Sequence, residues 1–400
     1  MWVLVSRPQR LLRAVLASSA IGLLAAGCAS FPEQPAAAGW SAQPQLTPQA
    51  GPTPEMPGGF PQTGGDQRAG QPPTSVPPPE GCKDFSPAVV ATCLNPISGV
   101  ALTDVNQSTG VVTALATERT TGRLLKVTKD VDPVVLATFP TDAAGDGGLT
   151  GLTLSPTYGE DQLVYVYVTT ETDNRVMRIA PGDTPKPVLT GIPKGASGNR
   201  GVLAYDAEGA LLVATGDAGN PAAAADPNSL AGKVLRIDAA GQPAKGNPTA
   251  GSAVLASGLR SPGGLCVSGD GSQTWVTDAA ASADLLYRVE AGKPLTNPAW
   301  TWPDKPGVAG CASLTNMMWV ATSNTPGTQM IAMNAEGSFT GKPEPFLDKE
   351  NGFGRIGPLV QLDDNTALAG TVNKAGGAPV SSDDRVVIIV RDSASGGSKD

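Results

Sequence analysis

From residue 97 to residue 391 the chain alternates short aliphatic runs with turns rich in Asp, Gly and Asn. The runs follow the two-residue period of half-buried strands rather than the 3.6-residue period of a helix. One pattern recurs: an apolar strand, an Asp/Gly turn, an aliphatic strand ending near Thr, then a strand of the form R-φ-φ-R-φ, where φ is apolar. The first copy occupies residues 99–102, 110–112 and 123–127, the second 151–154, 163–166 and 175–179, and the third 202–205, 211–215 and 233–237. The fourth occupies 264–267, 274–277 and 285–289, a weaker fifth 318–321 and 330–333, and the sixth 358–362, 367–370 and 385–389. Segments such as DAEG at 206–209 and GDG at 269–271 supply the residues that tight hairpins need. A repeat of roughly 40–60 residues with three or four strands matches a propeller blade. Six copies predict an all-β, six-bladed β-propeller around a central channel. A β-sandwich is the alternative, and the regular repetition disfavours it. Propellers place ligand sites at the channel mouth, but the fold says nothing about chemistry.

The pattern stops short of the N-terminus. Arg7, Arg10 and Arg13 precede a short apolar stretch that ends in Leu24-Ala25-Ala26-Gly27-Cys28. Basic, apolar and small residues in that order read as a secretory signal over residues 1–27, and the stretch is too short to span a membrane comfortably. Cys directly after Ala-Gly marks a lipobox, with Cys28 as the lipidated first residue of the mature chain. Residues 28–80 are rich in Pro, Gly, Gln, Ala and Thr and cannot bury enough apolar surface to offset their ordering entropy. They read as a disordered tether, able to reach roughly 40 Å as a flexible coil and further with its prolines. The expected organisation is thus a leader, a lipidated tether and a propeller over 81–395, held by its lipid at the extracytoplasmic face of the cell membrane.

Charge and cysteines fit that location. The formal charge is −8, or −11 without the three arginines of the leader. An acidic chain with no basic stripe argues against a nucleic-acid partner. Five cysteines leave four once Cys28 is lipidated, and an even number in an exported chain favours disulfides. The expected pairs are Cys82–Cys93, stapling the start of the domain, and Cys266–Cys311, bridging two neighbouring sheet units.

Residues 198–238, GNRGVLAYDAEGALLVATGDAGNPAAAADPNSLAGKVLRID, are similar to the HNGG-x-L-x-F-GPDG-x-LYV-x-TGDAG…DP-x-SL-x-GK-φ-LR-φ-D segment of the soluble quinoprotein glucose/sorbosone dehydrogenases. LASGLRSPGG at 255–264 resembles the G-x-RNPQG of that family, and Trp300-Thr301-Trp302-Pro303 its Y-G-W-P. DGGLTGLTLSPTY at 146–158 resembles GGLLG-φ-φ-φ-HPDF. The resemblance implies a pyrroloquinoline quinone (PQQ) over the channel, a calcium ion polarising it, and a histidine base. The chain has no histidine at all. The resemblance places the base at Ser155, and the His of HNGG is Gly198. Arg260 takes the place of the Arg that meets PQQ, and Ser261 that of its Asn neighbour. The Gly-Pro carbonyls that bind calcium fall at Ala280 and Ala281, and Asp284 is what remains of a following acidic pair.

A serine hydroxyl is a poor base near neutral pH, where an imidazole titrates. The retained residues also have structural readings: Asp217 as a turn residue, Arg260 as an ion-pair partner, Arg200 and Arg355 as solvated loop residues, Trp300 and Trp302 as packing. Two functions are therefore expected in competition. The first is a non-catalytic propeller that binds a ligand or partner, such as a sugar or a component of the cell envelope. The alternative is a divergent sugar or polyol dehydrogenase dependent on PQQ and calcium, with Asp146 or Asp278 as base.

Overall fold

The computed structural model describes residues 76–391, apart from 107, 350 and 351. The leader, Cys28 and the tether up to residue 75 lie outside the described residues, as do residues 392–395. The described chain folds into six antiparallel sheets of four strands each. Blade one is Ile97–Val105, Val112–Glu118, Arg123–Thr128 and Val131–Thr138. Blade two is Leu149–Leu154, Val164–Thr169, Asn174–Ile179 and Lys186–Ile192. Blade three is Gly201–Tyr205, Leu211–Thr215, Lys233–Ile237 and Val254–Ser257. Blade four is Pro262–Val267, Thr274–Ala279, Asp284–Arg288 and Trp300–Trp302. Blade five is Val308–Leu314, Met317–Thr322, Thr328–Ala332 and Glu344–Phe346. Blade six is Ile356–Gln361, Thr366–Thr371, Val386–Val390 and, as its outermost strand, Val89–Ala91 from the start of the domain. The molecule is a six-bladed β-propeller.

The first strands of successive blades pack against one another around the channel. Second strands lie between neighbouring blades, so both their faces are covered. Val164–Thr169 and Leu211–Thr215 are buried at every position, which is why alternation fades there into continuous aliphatic runs. The core is six clusters, one in each seam between blades; Trp275 and Met318 fill the seam of blades four and five, Trp319 the next. Crowding at the axis selects glycine: a Cβ on Gly201 would enter the Tyr167 ring, and one on Gly310 the backbone at Leu359.

Several expectations change in detail. In blade one the second strand is Val112–Glu118, and Gly110 belongs to the preceding turn, with φ of 69°. In blade five the inner strand Val308–Leu314 completes the weak fifth copy. The closing strand Val89–Ala91 was not expected. It pairs antiparallel with Val386–Val390 and is flanked by Cys82 and Cys93, which form a disulfide. Cys266 and Cys311 form the second disulfide, linking the inner strands of blades four and five with Cα atoms 5.8 Å apart. Arg385 fastens the closure further, reaching Asp383 at 2.9 Å and Asp84 at 3.2 Å.

Candidate functional site

All inner strands begin at the same end of the channel, where the loops between blades converge. The cavity there has a volume of about 420 Å3 and is lined by residues that include Arg119, Asp146, Thr150, Arg200 and Asn324. Asp146 is the carboxylate of this lining. It comes from the loop joining blades one and two and accepts hydrogen bonds from Gly198 N (3.0 Å), Asn199 N (3.0 Å) and Ser261 Oγ (3.2 Å). One side chain thus ties together the entries to blades two, three and four.

Arg260 precedes the inner strand of blade four. Its guanidinium meets Asp217 Oδ2 at 2.7 Å, while its backbone N and that of Ser261 donate to the Asp278 carboxylate, the latter at 2.7 Å. Asp278 is fully buried. Burial is the main reason its pKa is pushed up to about 6; the two backbone N–H groups oppose the rise, Asp217 adds to it, and Arg260 opposes it.

Two guanidinium groups face the cavity. Arg119 uses one nitrogen to hold the carbonyls of Gly147 (2.7 Å), Ala143 (3.3 Å) and Gly145 (3.3 Å). Arg200, by contrast, makes no side-chain hydrogen bond or ion pair among the described residues. Its pKa is lowered, chiefly by burial; Asp146 opposes this and the like charge of Arg119 adds to it. Guanidinium stays protonated in proteins. The mouth therefore presents donors and positive charge to a ligand, with Asp146 as counterweight.

Ser155 is not part of this constellation. It follows Leu154, the last residue of the inner strand of blade two, whereas the cavity is at that strand's beginning, a six-residue strand or about 20 Å away. Its hydroxyl donates to Asp161 Oδ2 at 2.6 Å, beside Thr157. Strand direction places Ser155 at the opposite end of the inner strand from this cavity. Gly198, the other position at which the resembling family carries His, is at the charged mouth. It has φ of 69°, and a Cβ there would press on Asp217 Oδ1 and the backbone N of Ala218.

Calcium fits poorly at the carbonyls of Ala280 and Ala281. The Ala281 oxygen accepts a hydrogen bond from Lys305 Nζ at 2.9 Å, so a divalent cation on it would lie beside an ammonium group. Of the Asp284 carboxylate, Oδ2 is taken by Gly307 N (2.6 Å) and Val308 N (3.0 Å), while Oδ1 is buried without a hydrogen-bond partner. No group of three or more Cys, Asp or Glu among the described residues is placed to hold a metal. Trp300 and Trp302 belong to the outer strand of blade four, pack against each other and, through Trp300, on Phe339, and do not line the mouth.

Sequence reasoning brought Arg260, Ser261, Asp146, Asp217 and Asp278 into view, and the structure gathers them. It missed Arg119 and Lys305, which stand in ordinary turns with no motif around them. Arg200 was visible within the GNRG segment but read only as a loop residue.

The family model for glucose/sorbosone dehydrogenase matches residues 106–309. The fold is similar to that of the PQQ-bound aldose sugar dehydrogenase from Streptomyces coelicolor, at 26% identity over 78% of this chain and 99% of that one, with a TM-score of 0.69. A putative oxidoreductase (glucose dehydrogenase) from Thermus thermophilus is similar at 24% identity, over 76% of this chain and 98% of that one, with a TM-score of 0.66. The apo form of the soluble aldose sugar dehydrogenase from Escherichia coli is similar at 18% identity, over 76% and 99%, with a TM-score of 0.64; these last two speak for the fold alone. No curated protein sequence matches the chain.

Proposed function

The chain belongs to the glucose/sorbosone dehydrogenase family, and on that premise we propose that it is a non-catalytic member whose channel mouth binds an anionic small molecule. The observation that carries this reading is the Arg200 guanidinium, which lines the cavity with Arg119 and has no side-chain partner among the described residues. A half-buried guanidinium with no hydrogen-bonded partner leaves its donors open, and a carboxylate ligand would supply acceptors for them. The absence of histidine and the ammonium on the Ala281 carbonyl argue against calcium-assisted proton abstraction from a sugar. We propose further that Cys28 is lipidated and anchors the chain at the extracytoplasmic face of the cell membrane, as the leader and lipobox suggest.

A second reading is favoured by the likeness to a PQQ-bound aldose sugar dehydrogenase. PQQ is a quinone with three carboxylates, and Arg119 and Arg200 would suit them. When bound, it supplies two-electron oxidation. Asp146, at the cavity, would then be the residue to take the substrate proton; Asp278 is sealed beneath Arg260 and Ser261 and cannot reach a substrate.

Calorimetric titration with PQQ and with citrate, with and without calcium, together with dye-linked oxidation of aldoses, separates the readings. The expected result is anion binding that weakens at least about tenfold in Arg200→Gln, a loss of about 1.4 kcal/mol or more, with no sugar oxidation. Sugar turnover that requires Asp146 would establish the second reading. An Arg200→Gln variant that binds as well as the parent would sink the first.

A further inference from the structure

The bond between Lys305 and the Ala281 carbonyl belongs to a built arrangement. Lys305 lies in the loop that joins blades four and five, between Trp302 and Val308. Its φ is 53°, a left-handed conformation that lysine rarely adopts. The loop is fastened on every side: Lys305 N donates to Trp302 O at 3.3 Å, Asn324 Nδ2 donates to Lys305 O at 3.3 Å, and Asp284 Oδ2 accepts from the N–H groups of Gly307 and Val308. Asp284 Oδ1 is buried without a hydrogen-bond partner. The outcome is an ammonium delivered onto the backbone turn between Ala279 and Asp284, which are themselves paired across the hairpin.

We infer that Lys305 is a built-in cation: its ammonium occupies the place on the Ala281 carbonyl that the family resemblance reserves for calcium, so that this face of the propeller is independent of divalent metal. An ammonium and a metal ion both seek carbonyl oxygen, and the two positive charges exclude each other at such separations. The tethered charge is always present and needs no metal supply. It holds the 279–284 turn against the loop leading into blade five. This inference does not depend on which anion fills the mouth, and its test uses no ligand of the mouth.

The test is a terbium titration of the full chain, with tryptophan excitation and calcium competition, since Trp302 is the strand partner of Asp284 at the end of the turn that carries Ala281. The parent is expected to show no saturable emission, and its melting temperature to be indifferent to calcium and to chelator. Lys305→Glu puts a carboxylate where the ammonium was, beside the Ala281 carbonyl. It is expected to bind terbium with a Kd of about 10⁻⁴ M and to release it to calcium. Lys305→Ala keeps the same backbone demand and is expected to melt lower than the parent, while Lys305→Arg retains most of the stability. Saturable calcium or terbium binding by the parent would overturn the inference. So would a folded Lys305→Glu that binds no terbium, or a Lys305→Ala that melts with the parent.

Discussion

Asp278, beneath the entry to blade four, shows what burial does to a charge. Asp278 is sealed, and burial raises its pKa to about 6, so the folded protein holds a proton there that the unfolded chain, near the usual carboxylate value, releases. Between about pH 4 and pH 6 the folded state therefore binds more protons than the unfolded one, and this group makes stability fall as pH rises through that window. Guanidinium-chloride unfolding of the parent and of Asp278→Asn should show the difference: relative to the variant, the parent should lose up to about 3 kcal/mol between pH 4 and pH 7. A difference that is flat with pH would contradict the raised pKa. Gly198 makes a second residue-level prediction. Restoring the family's histidine there forces a side chain into a left-handed position against Asp217. Gly198→His should lower stability by about 2 kcal/mol or more and should not bring sugar oxidation.

At the level of single elements, the long loop between the second and third strands of blade three is held from inside. Lys233 is fully buried, and its ammonium donates to the carbonyls of Ala223, Ala224 and Ala231, each at 2.8 Å. The GK of the family-like segment is thus a clamp on that loop. Lys233→Met would leave three carbonyls without their donor. A loss of about 3 kcal/mol or more in chemical unfolding is expected, with the fold of the other blades retained. The closing strand Val89–Ala91 is a second such element. Too short to hold by its ladder alone, it is flanked by the Cys82–Cys93 disulfide. Loop closure over 11 residues contributes about 3 kcal/mol, so the Cys82→Ser, Cys93→Ser double variant should melt several degrees lower.

The whole molecule depends on that closure. The first segment of the propeller completes its last blade, so the ring has no open edge between blades six and one. A chain that begins at residue 95 keeps every other strand but exposes Val386–Val390 along its unpaired side. It should lose cooperative thermal unfolding and associate through that edge, as light scattering during a melt would report. A truncated chain that melts as sharply as the parent, and stays monomeric, would show that closure is dispensable.

Strand period, turn residues and repeat spacing were enough to indicate blades, their number and both disulfide pairs, because each depends on local alternation or on residues that stand close within neighbouring repeats. The residues at and around the mouth were legible wherever a family-like segment carried them, as with Asp146 in the lining and the Arg260–Asp217 pair beside it. That Ser155 lies away from this cavity was not legible, because a motif gives order along the chain but not the end of the channel at which a strand starts or stops. Arg119, the isolation of Arg200 and the Lys305 ammonium on Ala281 had no local signal at all. Each is defined by loops from different blades that meet only when the ring closes, and only the closed ring decides which charges find partners and which are left facing the channel.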